Sequence, residues 1–84
     1  MIPLYVSCDI DFTWHMVPAA PEQTMREIAE IARSFVVDKR GRQPAGTVPR
    51  LRRPDAEDYL PQDATAAALG LAPTDWLHLG FAPT

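Results

Sequence analysis

TAAALGLAPTDWLHLGF, residues 65–81, is the stretch whose reading decides the fold. Thr65 is placed to cap a single helical turn running through Leu69, and Gly70 offers the left-handed exit from it. Leu71 then folds back onto the turn, and Pro73 prevents its continuation. Trp76 to Phe81 reads as a strand with Leu77, Leu79 and Phe81 on one face. A strand formed this late must pair with one made much earlier. In a small sheet the stable solution sets it beside the first strand, in parallel, beneath a helix.

The N-terminal half supplies those partners. Ile2, Leu4, Val6 and Cys8 alternate with Pro3, Tyr5, Ser7 and Asp9, which gives a first strand with one apolar face. The alternation continues through Ile10, Phe12, Trp14 and Met16 against Asp11, Thr13 and His15, so a hairpin is expected with Asp9 and Asp11 at its corner. This phase turns Trp14 and Met16 towards the core and His15 away from it. Pro18 and Pro21 end the second strand, because proline donates nothing to a ladder, and VPAAPE (17–22) reads as a crossover.

Thr24 and Glu27 have capping-box spacing, so a helix starts there. Met25, Ile28, Ala29, Ala32, Phe35 and Val36 form one apolar stripe, widened by Ile31, while Arg26, Glu30 and Arg33 lie off it. Asp38 to Gly41 stops the helix, and GRQPAGT (41–47) is loop. Val48 to Arg52 predicts a short third strand with Leu51 inward and Pro49 at its edge or start. Residues 53–64 are Pro-punctuated and read as a turn with a short extended segment. The expected architecture is α+β, a β-grasp: one domain over residues 1–84 with a mixed sheet of four or five strands under one long helix.

Composition fits a folded chain, at 46% apolar and 23% charged residues over 84 positions. No run approaches the ~18 apolar residues of a membrane span, and the start lacks the pattern of a secretory signal, so a cytoplasmic location is expected. Net charge is −3, yet Lys39, Arg40, Arg42, Arg50, Arg52 and Arg53 crowd six of the eight basic residues into fifteen positions. That patch is either a solvated loop and strand edge or a docking surface for an acidic partner. Nucleic acid fits less well, since no aromatics interleave the patch for base stacking.

Reactive constellations are absent from the sequence pattern. His15 and His78 have no spacing that would set two metal ligands on one helix face, and both read as surface strand residues. The single Cys8 rules out an internal disulfide and a cysteine-built metal site, and as a buried strand residue it is inert. Ser7 and Ser34 sit in no nucleophile elbow, Glu27 and Glu30 belong to the cap and the solvated face, and the four glycines form no phosphate cradle. No catalytic residue and no cofactor are therefore expected. Trp14, Trp76, Tyr5 and Tyr59 read as core or rim, some of them possible interface anchors.

Several of these residues also carry a resemblance. Asp11-Phe12, Thr24-Met25, Ile28-Ala29-Glu30 with Ala32 and Val36, Arg50-Leu51-Arg52, and Thr65 followed by Gly70-Leu71 and Pro73 before Phe81 resemble the gamma or component B subunit of soluble diiron multicomponent monooxygenases. That group includes the toluene, isoprene and alkene monooxygenases. The resemblance implies a ubiquitin-like accessory subunit without catalytic residues. Its expected partners are the large alpha subunit of the hydroxylase, which holds two irons through glutamates and two E-x-x-H motifs, and the beta subunit. It implies a diiron centre in the partner rather than here, with Arg50, Arg52, Arg53, Lys39 and Arg40 as interface residues. The alternative is a ubiquitin-like interaction adaptor in an unrelated complex. A sulfur carrier or modifier would end in Gly-Gly, whereas this sequence ends Ala82-Pro83-Thr84.

Overall fold

The computed structural model describes residues 1–8, 11–40 and 44–83, with the side chains of 11–13 and 36–40 left out of the description. Its elements in chain order are β1 (Ile2–Cys8), β2 (Asp11–Ala19), α1 (Met25–Arg40), β3 (Thr47–Arg52) and β4 (Trp76–Pro83). The sheet order is β2-β1-β4-β3. β4 lies between β1, which it pairs in parallel from Tyr5↔Trp76 to Cys8↔Leu79, and β3, which it pairs antiparallel from Thr47↔Pro83 to Arg52↔His78. The chain's last strand is thus central, as the 65–81 stretch predicts, and the sheet has the smaller expected number of strands. This is a β-grasp fold.

One face of the sheet and the inner stripe of α1 enclose the core. Leu4 and Val6 from β1, Val17 and Ala19 from β2, Leu51 from β3, and Leu77 and Leu79 from β4 meet Met25, Ile28, Ala29 and Ala32 of the helix. Ile31, Phe35 and Phe81 pack at its margin. Every buried side chain among the described residues is apolar. Burial of each leucine contributes about 1.5–3 kcal/mol relative to exposure.

The N-terminus of α1 leaves no amide without a partner. Glu27 Oε1 accepts from the Thr24 amide at 3.0 Å and Thr24 Oγ1 accepts from the Glu27 amide at 3.3 Å, the reciprocal bonds of a capping box. The Met25 and Arg26 amides donate to the carbonyls of Ala64 and Gln62, at 2.9 and 3.0 Å. The segment ahead of Thr65 therefore caps the helix as well as leading into β4. Ala66 N to Gln23 O and the bridge Thr24↔Thr65 tie the two starts together.

The turn after Thr65 closes as its sequence predicts. The Ala68 amide donates to Thr65 Oγ1, the Leu71 amide to Ala66 O and the Gly70 amide to Ala67 O, with Gly70 at φ 67°. This pair of bonds and the left-handed glycine make a Schellman motif. Leu71 is buried beside it.

Three expectations need correction. β2 runs on through Pro18 to Ala19, because it is an edge strand and Pro18 sits opposite Pro3, so neither missing donor breaks a bond in the sheet centre. Its phase is also the reverse of the predicted one. Pairing places Leu4 with Val17 and Val6 with His15, so Val17, Ala19 and His15 face the helix while Trp14 and Met16 face outward. Met16 and Val17 are both apolar, leaving two phases open to the pattern, and the pairing of Leu4 with Val17 selects the one the alternation missed. His15 consequently stacks on Phe35 of α1, with ring planes 13° apart and centroids at 6.2 Å. Residues 53–64 form turns without the extended segment. Of the expected hairpin corner at Asp9 and Asp11, Asp11 opens β2 opposite Cys8, while Asp9 and the helix stop at Gly41 lie outside the described residues.

The corner before β4 carries strain. The Asp75 amide donates to Ala72 O at 3.1 Å across Pro73 and Thr74, and Thr74 has φ 68°. This follows the type II pattern, proline second and a positive φ third, at a position that favours glycine over a β-branched residue. The Thr74 amide is held by Pro3 O at 2.7 Å, which fixes the corner against β1. Replacing Thr74 with Gly removes a strain of about 1–3 kcal/mol at an entropic cost of about 0.5–1 kcal/mol. A net stabilisation of roughly 1 kcal/mol is therefore expected in urea unfolding, and a destabilised variant would remove the strain argument.

Candidate interaction surface

The sheet face opposite α1 is open over β1 and β2, while Tyr59 lies over Gly80 towards its β3 side. Residues paired in register share a face, which places Pro3, Tyr5 and Ser7 of β1, Trp14, Met16 and Pro18 of β2, Trp76, His78 and Gly80 of β4, and Val48, Arg50 and Arg52 of β3 together on this side. Trp14, Met16 and Trp76 are 52%, 49% and 45% exposed. Apart from Met1 they are the large apolar side chains exposed among the described residues.

Their rings form one cluster centred on Tyr5. Tyr5 meets Trp14 edge-on with centroids 4.7 Å apart and Trp76 in a tilted contact at 5.3 Å, while Trp14 and Trp76 meet edge-on at 5.8 Å. Such edge contacts suit the ring quadrupoles and fix the rings relative to one another. Beyond Trp76 along β4, Ser7 Oγ and His78 Nδ1 share a hydrogen bond of 2.8 Å.

The arginines occupy the other side of the face and the turn beyond it. Arg50 donates from Nη2 to Leu60 O at 3.0 Å and lies 5.4 Å from the centroid of the Tyr59 ring. Arg52 uses Nη1 for the carbonyls of Arg53, Pro54 and Ala56, and Arg53 reaches Leu69 O. All three are half-buried, and none is ion-paired among the described residues. They organise the 53–70 segment, a role the sequence did not reveal because its partners are backbone carbonyls. The side chains of Lys39 and Arg40, and Arg42 altogether, lie outside the described residues.

The chemical groups do not converge. His15 faces α1 from β2 and His78 stands on the open face, so the two histidines lie on opposite sides of the sheet. Among the described residues, no three His, Cys, Asp or Glu side chains come together and no cavity opens. Cys8 is buried. What this face offers is a preformed apolar and cationic surface.

The family model described as toluene-4-monooxygenase system protein B (TmoB) matches residues 1–81. The chain belongs to that family. It is an accessory component of a monooxygenase system on a ubiquitin-like scaffold. A chain in a solved structure described as toluene 4-monooxygenase HD complex with the inhibitor 4-bromobenzoate is similar at a TM-score of 0.87 and 28% identity, over 95% of this chain and 96% of that one. The ubiquitin of Caldiarchaeum subterraneum is similar at a TM-score of 0.71 and 18% identity, over 99% and 95% of the two chains, which shows the shared fold alone. No curated protein matches the sequence. The resemblance expected from Thr65, Gly70-Leu71, Pro73 and the helix stripe is therefore correct as to family.

One contact on this face is fixed by a missing side chain. A Cβ on Gly80 would overlap the Tyr59 hydroxyl and stand 3.0 Å from two carbons of its ring. Tyr59 thus lies flat on β4 because position 80 is glycine, and it covers Arg50 from there. Gly80→Ala is expected to expel the ring and cost about 1–3 kcal/mol. In a Tyr59→Ala background the same substitution should cost far less, and equal costs in the two backgrounds would dissociate Gly80 from Tyr59.

Proposed function

We propose that this chain is the non-catalytic subunit of a soluble diiron hydroxylase that oxidises small hydrocarbons. It docks on the large diiron subunit, next to the beta subunit, and works in the cytoplasm. The observation that carries the reading is the family match along residues 1–81, supported by likeness to a chain solved within a toluene 4-monooxygenase complex. The iron belongs to the partner, since a diiron site needs clustered carboxylates and histidines while His15 and His78 stand on opposite faces here.

Ser7 and His78 do not raise a rival hydrolase reading. The register neighbours of His78 are Ser7 and Arg52, and no cavity opens beside the pair among the described residues to hold a substrate. Docking uses Arg50, Arg52 and Arg53 as ion-pair contacts, with Lys39 and Arg40 extending the basic region. The partner in turn gains a rigid unit against helices that frame substrate entry.

The chain should co-purify in fixed ratio with a long polypeptide bearing two E-x-x-H motifs and, alone with ferrous iron and a reductant, should form no product from toluene. Turnover by the isolated chain would refute the reading. Arg50→Glu with Arg52→Glu should weaken co-purification by about tenfold or more. Unchanged co-purification would remove the arginines from the interface, and the variant's own unfolding curve guards against collapse of the 53–70 segment.

A further inference from the structure

We infer that the open sheet face, rather than the outer face of α1, is the surface that meets the partner, with Trp14, Met16 and Trp76 as anchors and Arg52 at the margin. This rests on the reading of the chain as an accessory subunit. The partner surface it fits is a protein patch with an apolar centre and carboxylates on one side. Arg52 pairs with His78, two residues along β4 from Trp76, so those carboxylates lie roughly 7 Å along the sheet from the aromatic centre at ~3.3 Å per residue.

Three observations converge on this face. The first is the exposure of two tryptophans and a methionine side by side, where water-facing strand positions usually carry polar groups. The outer side of α1 is the opposite case: Arg26, Glu27, Glu30 and Ser34 are exposed, Arg33 is half-buried against Glu30, and Arg26 pairs outward with Asp63. That helix face is solvated.

Second, the rings are held by one another, so little side-chain freedom is lost when they are covered. Third, the charges are of one sign. None of the described strand positions on the open face carries a carboxylate, although the chain as a whole is acidic at −3. Arg52 commits only Nη1 to the carbonyls of its own turn, which leaves Nε and Nη2 without an acceptor among the described residues and suited to a bidentate carboxylate.

The same charges argue against other occupants. A second copy would bring apolar rings to rings yet leave the arginines facing strand positions that, among the described ones, hold no carboxylate. An anionic membrane calls for a cluster of about four to eight cations, more than this face carries. Single-stranded nucleic acid stacks on free ring faces, whereas these rings pack against each other. Area is sufficient, since a standard interface of about 800 Å² per partner is near a sixth of the 4880 Å² surface.

The test uses the whole complex. The chain is co-expressed with the remaining hydroxylase subunits as wild type, Trp14→Ala, Trp76→Ala, Arg52→Gln, and Glu30→Lys on the outer helix face. Each tryptophan variant should weaken association about thirtyfold or more, Arg52→Gln less, and Glu30→Lys not at all. Both tryptophans of the chain lie in the patch, so 5-fluorotryptophan labelling gives two ¹⁹F resonances, and both should shift on titration with unlabelled large subunit. The resonances serve as a second readout if an alanine variant fails to fold.

Failure of the wild type to associate sinks the accessory-subunit reading itself. Association of the wild type with unmoved resonances, or with loss confined to Glu30→Lys, overturns the choice of face and leaves that reading standing. Dimerisation of the isolated chain that Trp76→Ala abolishes, or binding to phosphatidylserine vesicles at physiological salt, would assign the face to a different occupant and overturn the inference.

Discussion

The parallel pairing of β4 with β1 is the constraint on which the rest of the molecule depends. Two parallel strands cannot be joined by a tight turn, and here one is made at the start of the chain and the other near its end, from Tyr5↔Trp76 to Cys8↔Leu79. The chain between them must leave the sheet after β2 and again after β3, and return from the correct side. α1 makes the outward passage and covers the core face. The 53–75 segment makes the return, and its hydrogen bonds show how: the 62–66 stretch caps α1, the Schellman turn at Gly70 reverses the chain, and Pro3 O holds Thr74 so that Trp76 enters level with Tyr5. The return path and the helix cap are thus one structure. A change that frees the cap also frees the approach of the central strand.

That pairing also divides the sheet into two faces of different character. Leu77 and Leu79 meet the helix stripe and have no exposed surface, whereas Trp76 and His78, one position out of phase with them, stand on the open side. β2 and β3 obey the same parity, so an aromatic corner and an arginine edge form without any residue being added for the purpose. The arginines are prepared by the return segment: carbonyls of 53–60 and 69 accept from them, and Tyr59 lies over Arg50 because Gly80 has no side chain. Arg52 gives only Nη1 to those carbonyls, so Nε and Nη2 stay without an acceptor among the described residues.

How much of this the sequence disclosed follows from the range over which each signal acts. The capping box at Thr24 and Glu27 and the Gly70-Leu71-x-Pro73 corner are local codes, read within a few residues, and both are built as spelled. The helix stripe and the inward leucines of β4 rest on periodicity over a whole element and are equally clear. The phase of β2 was obscured because Met16 and Val17 satisfy either parity, and only pairing with β1 decides between them. Because that parity was open, the exposed Trp14 and Met16, the heart of the candidate surface, read as core. The fit of Tyr59 over Gly80 spans twenty-one residues of sequence and leaves no local mark. Arg50, Arg52 and Arg53 were visible as a basic cluster, but their acceptors are backbone atoms, which no side-chain pattern encodes.

The chemistry of an accessory chain follows from the same geometry. A reactive site needs groups that converge in a concave, partly dry place, and a four-stranded sheet backed by one helix exposes its open face as a nearly flat surface on which side chains stand parallel rather than converge. Ser7 and His78 illustrate the limit: they are adjacent across β1 and β4 and hydrogen-bonded, yet among the described residues no cavity opens beside them. The features that make this face poor for catalysis make it good for docking, because flatness lets rings on three strands touch one partner at once. Preordered rings at the centre supply desolvation, and cations at one side fix the orientation in which the partner can seat.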